Sequence, residues 1–153
     1  MVFGGHLGRT GINTSSAVQL PVTAEGDSVG SVWLDAPPMS VNSSNMAPAT
    51  LGTRIFSLNP STQAGTQVYV SEEQRWTTVP QLNIEGFYAA AAVWLDRLYV
   101  SGGFTPPSNT ADVKWIATPS ATRWNTAPKL LQPRAAHAMV AFHNTLFVIA
   151  EPL

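Results

Sequence analysis

A chain of 153 residues has room for one ordinary domain core, and a hydrophobic share of 44% marks it as globular. Only 11% of residues are charged and the net charge is −1, which argues against general electrostatic binding to nucleic acid or to an anionic membrane. There is no cysteine, so disulfides, thiolate nucleophiles and cysteine-based zinc sites are excluded, while 11 Gly and 12 Pro predict a turn-rich β protein rather than long helices.

In chain order, Met1-Val2-Phe3-Gly4-Gly5 lacks the basic start and long apolar run of a signal peptide; Val2-Phe3 reads as the end of a strand running into a glycine pair. After a long loop, Ala17-Val18-Gln19-Leu20 and Val32-Trp33-Leu34 are predicted strands. Asn13-Thr14-Ser15 and Asn42-Ser43-Ser44 fit the glycosylation acceptor pattern, which chance readily produces in a chain rich in Ser, Thr and Asn. The stretch from Pro38 to Gly52 is expected to hold a loop and a weak inner strand. Arg54 to Ser57, Gln67 to Val70 and Arg75 to Thr78 complete that unit.

The apolar run Phe87 to Leu95 is too short to span a bilayer and predicts a buried inner strand. Asp96-Arg97 reads as its hairpin turn and Leu98 to Ser101 as the returning strand, ending at Gly102-Gly103. Val113 to Ala117 and Arg123 to Thr126 follow as third and fourth strands. Ala135 to Phe142, the turn His143-Asn144, and Leu146 to Ile149 start the same plan again, and the sequence stops halfway through it.

The plan repeats in register. Trp33, Trp76 and Trp124 are each followed four residues later by a proline (Pro37, Pro80, Pro128) and two residues beyond that by Met39, Leu82 or Leu130. A spacing of 40 to 50 residues in a strand-rich chain is the signature of radial β-repeats. The expected fold is all-β: β-propeller blades of four antiparallel strands, about three blade equivalents in an incomplete ring. The blade parts fall at about 1–40, 41–83, 84–131 and 132–153. The three repeated indoles and Trp94 are expected in the core, and Trp115 half-exposed. Because a closed propeller needs four or more blades, the chain is expected to be a segment whose neighbours are the remaining blades of a larger protein; an open arc that self-associates through bare edges is the alternative.

These residues resemble the kelch-repeat family of β-propellers. The likeness rests on Leu98-Tyr99-Val100-Ser101-Gly102-Gly103, Val113, Trp124 with Pro128, Gln132-Pro133-Arg134-Ala135-Ala136-His137-Ala138, and Leu146-Phe147-Val148-Ile149. It departs where glycine pairs are lost, at Leu58-Asn59 and Ala150-Glu151, and where Gly86 and Ser43 replace the arginine that Arg134 supplies. The resemblance implies a protein–protein interaction role, with partner-facing residues on the loops after each second strand and on the loops opening each blade. Here those loops are His6 to Asn13, Pro60 to Thr66, Phe104 to Thr110, Met39 to Asn45, Asn83 to Tyr88 and Lys129 to Arg134. It also implies substrate recognition for a ubiquitin ligase through a BTB domain that these residues do not contain, or a cytoskeletal scaffold.

The candidate partner-binding residues are Arg134, Phe104, Tyr88, His6 and Arg9. Relatives present an arginine at the position of Arg134 to acidic groups, so an acidic peptide segment is the expected ligand chemistry, with a contact between blades as its structural alternative. Phe104, before Pro106-Pro107, is either an exposed anchor or packed locally. No nucleophile elbow, phosphate loop or His-Glu-x-x-His is present, and His6, His137 and His143 have no spacing that implies a shared ligand. Glu72-Glu73 and Glu25 with Asp27 read as solvated turns. No catalytic residue, cofactor or metal is therefore expected. Kelch-type copper oxidases carry a Cys–Tyr cross-link that a cysteine-free segment cannot supply, and the Ala- and Val-rich inner strands argue against an enzyme in the channel. An oxidase-like segment, or a truncated product without function of its own, are the alternatives. The expected location is cytoplasmic.

Overall fold

Short runs of β-branched and aromatic residues, broken by Gly, Pro and Asn, fold as antiparallel strands. A computed structural model describes residues 1–3, 6–7, 12–21, 32–58 and 65–150. Among them there is no α-helix; Pro80–Leu82 forms a single 3₁₀ turn. No helix among the described residues is long and apolar enough to cross a membrane.

Strand β1 (Val2–Phe3) is followed by a small hairpin of β2 (His6–Leu7) and β3 (Ile12–Asn13), then by β4 (Ala17–Gln19) and β5 (Leu34–Ala36). Strands β1, β4 and β5 make the first sheet. The second sheet is four-stranded in sequence order: β6 (Ala47–Leu51), β7 (Arg54–Leu58), β8 (Thr66–Val70) and β9 (Arg75–Val79). In the third, β10 (Ala90–Trp94) pairs with β11 (Arg97–Ser101), then a small hairpin of β12 (Phe104–Thr105) and β13 (Ser108–Asn109) precedes β14 (Val113–Ile116) and β15 (Asn125–Ala127). Its order is β10-β11-β14-β15. The last sheet is the pair β16 (Ala138–Phe142) and β17 (Thr145–Ile149). The inner strands sit side by side, with β10 against β6 on one side and β16 on the other. The fold is all-β: antiparallel sheets of propeller-blade type, two of them four-stranded, with no closed ring among the described residues.

Strand alternation builds the core between the second and third sheets. Phe56, Leu58 and Val68 meet Leu98, Val100 and Ile116, and Leu82 and Ile84 close the cluster from the connecting segment. Phe56, Leu58, Leu82, Leu98 and Ile116 are all 0% exposed, each worth about 1.5–3 kcal/mol in apolar burial. Polar ties fix the segment that enters each blade. The buried Gln67 side chain donates from Nε2 to the Val41 carbonyl at 3.0 Å and accepts from the Val41 N–H at 2.9 Å. The Thr66 hydroxyl donates to the Leu82 carbonyl at 2.6 Å.

Several boundaries differ from expectation. The inner strand starts at Ala90, because Tyr88 adopts a φ of 59° and Phe87 pairs with Phe104 instead of β11. The hairpin turn is Leu95-Asp96, with φ of 47° and 53°, and Arg97 pairs with Trp94 as the first residue of β11. Positive φ at both positions matches the twist of a two-residue hairpin, so geometry overrides the poor fit of leucine.

The fourth strands begin just past Trp33 and Trp124, and only Trp76 lies inside its strand. Trp76 is 4% exposed and its Nε1 donates to the carbonyl of Pro37 on the preceding sheet at 3.0 Å. Trp124 is half-buried against the core cluster. Trp33, expected in the core, is 53% exposed. The other two indoles pack toward the sheet before their own, and no sheet among the described residues precedes Trp33's. Trp94 is half-buried, with Nε1 donating to the His143 carbonyl at 3.1 Å. Trp115 is also half-buried, beneath the Arg97 guanidinium at 4.5 Å. The three repeated prolines follow directly on β5, β9 and β15, where no ladder donor is needed.

Candidate functional site

The glycine pair after β11 is required by its surroundings. Gly102 has φ 61°, and a Cβ there lies 2.4 Å from the Arg134 carbonyl oxygen. Gly103 has φ 116°, and a Cβ there lies 2.8 Å from the Cα of Gly86. The main chain thus passes between two blade-opening segments, and only glycine fits at both steps. The same approach accounts for glycine at Gly86, whose Cβ would stand 2.7 Å from the Gly103 Cα.

Main-chain hydrogen bonds then stitch the loops into one layer. Phe87 and Phe104 exchange N–H to carbonyl bonds of 3.0 and 2.7 Å. Gly103 donates to the Arg134 carbonyl at 2.8 Å, Arg134 to the Thr110 carbonyl at 3.2 Å, and Ala136 to the Tyr88 carbonyl at 2.9 Å. The junction between the first and second sheets repeats two of these elements. Ser43 donates to the Thr14 carbonyl at 3.2 Å, as Arg134 does to Thr110; Met39 donates to that of Ser15 at 2.8 Å, as Leu130 does to Ala111 at 2.9 Å. Ser43 and Arg134 are therefore structural equivalents, and Ser43 is fully buried where Arg134 is half-buried.

Three of the five sequence-selected residues share this layer. Tyr88 is 47% exposed on its left-handed backbone, beside Phe87 at 39%. Phe104 is half-buried and held through its backbone on both sides, by Phe87 and by Asn109. Arg134 makes no ion pair among the described residues; its Nε donates to the Gln132 carbonyl at 3.4 Å, and its inter-blade contact runs through its main chain. His6 is placed by its backbone in β2, opposite Asn13, just as Phe104 lies opposite Asn109 after the corresponding glycine pair. Arg9 lies outside the described residues, as does most of the loop 60–66.

Ionic contacts flank the layer. Lys129 Nζ lies 2.9 Å from Asp112 Oδ1, and Lys114 Nζ 3.6 Å from Glu85 Oε1. The hydrogen bond from Lys129 holds the Asp112 carboxyl below the usual range.

Below the loops, His137 Nε2 and Ser101 Oγ share a hydrogen bond of 2.9 Å. Burial, and secondarily the charge of Arg134, push the His137 pKa below its ordinary value. Ser101 is 1% exposed, so its hydroxyl serves packing rather than attack on a substrate. A space of about 330 Å³ opens between the inner strands, lined by Met46, Ala47, Pro48, Ala90, His137 and Met139. The side chains lining it are apolar apart from His137. Among the described residues no group of three His, Asp or Glu side chains converges to hold a metal. The repeat spacing locates His137 but gives no sign of its partner Ser101, which sits on a different strand.

No family model matches the sequence. Kelch-like protein 26 of Danio rerio is 22% identical over 121 residues, covering 76% of this chain and 20% of that protein. The chain thus spans about a fifth of the length of this curated relative.

Proposed function

We propose that this chain is a protein-interaction segment of a kelch-type propeller, recognising a partner protein through the loop layer around Tyr88, Phe104 and Arg134. The observation carrying this reading is the layer itself. An exposed tyrosine, a half-buried phenylalanine and an arginine free of ion pairs among the described residues are held together by main-chain bonds. Rigid loops presenting aromatic and guanidinium groups suit recognition, and Arg134 suits an acidic peptide segment. His6 and Arg9 are further partner-binding candidates of this reading, on the loop that follows the first glycine pair of the sequence. Blade parts of about 1–40, 41–83, 84–131 and 132–153 are part of this reading, as are further blades supplied by a larger parent protein. So are a cytoplasmic location, a non-enzymatic role, and service as a ubiquitin-ligase adaptor or cytoskeletal scaffold. The similarity to Kelch-like protein 26 supports the reading.

The test is affinity capture with the full-length protein, comparing wild type with Arg134→Ala, Phe104→Ala and the control Arg123→Ala, with bound partners quantified by mass spectrometry. The expected result is loss of the same partner from both loop variants and its retention by the control. Equal recovery in all three sinks the assignment.

A further inference from the structure

In the third sheet β14 joins β15 through a loop, residues 117–124, that belongs to no strand and carries no acidic residue. Within it Thr118, followed by Pro119, is exposed, and among the described residues its hydroxyl meets only that of Ser120, at 3.5 Å. One main-chain bond closes the turn, from the Ala121 N–H to the Thr118 carbonyl at 3.1 Å. Threonine precedes proline at one other position, Thr105, and the setting there differs. Thr105 lies in β12, and its hydroxyl donates to the Glu85 carbonyl at 2.5 Å.

A cation from the second sheet is already in place at this turn. Arg54, the first residue of β7, reaches across the junction, and its Nη1 donates to the Pro119 carbonyl at 3.0 Å. The two turns dock closely: Pro119 Cγ lies 3.1 Å from where a Cβ on Gly52 would stand. Arg54 makes no ion pair among the described residues, and the Glu72 carboxylate accepts instead from the Thr53 hydroxyl at 2.8 Å. A guanidinium carries five N–H donors, so the one bond to Pro119 leaves Arg54 with capacity for an anion beside it.

We propose that Thr118 is a phosphorylation site for a proline-directed kinase, and that Arg54 receives the phosphate and so ties the third sheet to the second. Thr118 Oγ1 attacks the γ-phosphorus of ATP, the bond to the bridging oxygen breaks to release ADP, and the hydroxyl proton passes to the kinase's base. Proline at the following position has no N–H, so it fits a kinase groove that offers no acceptor there. With a single turn bond to open, the loop extends into such a groove while its flanking strands stay paired. Thr105, tied into its strand and to Glu85, does not. The ester adds about two negative charges, and a guanidinium binds phosphate in the strong, bidentate form. The turn lies at the far end of β14 from the loop layer, which begins beside Asp112, so this assignment and the partner surface stand or fall separately.

The full chain is incubated with a mitogen-activated, proline-directed kinase and ATP, and phosphate is mapped by mass spectrometry. The phosphate is then titrated by phosphorus NMR beside a phosphopeptide of residues 113–124. The expected result is one phosphate, on Thr118, absent from Thr118→Val, whose second ionisation in the protein lies about half a pH unit or more below that in the phosphopeptide. Arg54→Gln is expected to accept phosphate and to titrate with the peptide, and unchanged amide exchange across Leu98–Ser101 reports that this variant is folded. No transfer to the folded chain, whether or not the peptide is labelled, overturns the proposal, as does phosphate on Thr105 or Ser120 in place of Thr118. Equal titration in protein and peptide, or a lowered titration that persists in Arg54→Gln, overturns it as well.

Discussion

Leu98 and Leu146 occupy the same place in two copies of one strand pair, yet their surroundings differ completely. Leu98 is closed in by β14 and by the neighbouring sheet and is 0% exposed. Leu146 faces an open cleft, and every second residue along β16 and β17 is solvent-exposed, including Val140 at 44%, Phe142 at 61% and Ile149 at 57%. Sequence alone does not separate these two leucines. What separates them is which strands and sheets lie alongside. Apolar pattern selects a strand, and its neighbours decide what that strand contributes to stability.

Paired substitutions sharpen this contrast. The largest effect is expected for Leu98→Ala, about 2–5 kcal/mol, against about 1 kcal/mol or less for Leu146→Ala, read from urea denaturation midpoints. Equal losses would place the two sheets on the same footing and break the comparison. Next comes Gly103→Ala, expected to cost about 1–3 kcal/mol because its Cβ meets the Gly86 main chain at a φ of 116°. The residue that succeeds the last sheet's returning strand, Ala150, is exposed, and Ala150→Gly is expected to stay within about 0.5 kcal/mol.

The smallest effect is a pH dependence at the junction of the third and last sheets. The folded chain holds the His137 pKa low, so the unfolded chain takes up the proton first as pH falls. Stability from this site is complete above about pH 6.5 and declines as the solution is acidified below that value. His137→Gln should therefore flatten the urea midpoint between about pH 7 and pH 5. Asp112, held low by Lys129, acts only nearer its own range around pH 4 and leaves this window clear. A wild-type midpoint that does not move across the window would remove His137 as its cause.

Much of the fold was legible because its signals are local. Alternating apolar residues with short polar breaks located the strands of the second and third sheets to within a few residues, except β6 (Ala47–Leu51), which the sequence placed only somewhere within 38–52. The prolines after the repeated indoles marked where β5, β9 and β15 end. The fate of Trp33 was not legible, since its burial depends on a neighbouring sheet and not on its own strand. Nor was the Leu95-Asp96 turn, where the twist of the hairpin outweighed the residue preference. For the loop layer, offsets alone identified Ser43 as the counterpart of Arg134, and the matching bonds to Thr14 and Thr110 bear this out. The Ser101–His137 bond joins the end of β11 to the residue just before β16 of the next sheet, so no spacing within one repeat points to it.

The stitching of the loop layer by peptide groups has a further consequence. The bonds joining Phe87 to Phe104, Gly103 to Arg134 and Ala136 to Tyr88 use only N–H and carbonyl atoms, which every residue but proline possesses. The outward-pointing lettering at 88, 104 and 134 can be rewritten while the frame beneath it keeps its shape. Under the proposed partner-binding role, such a surface is free to change its ligand over evolutionary time at little expense to its architecture.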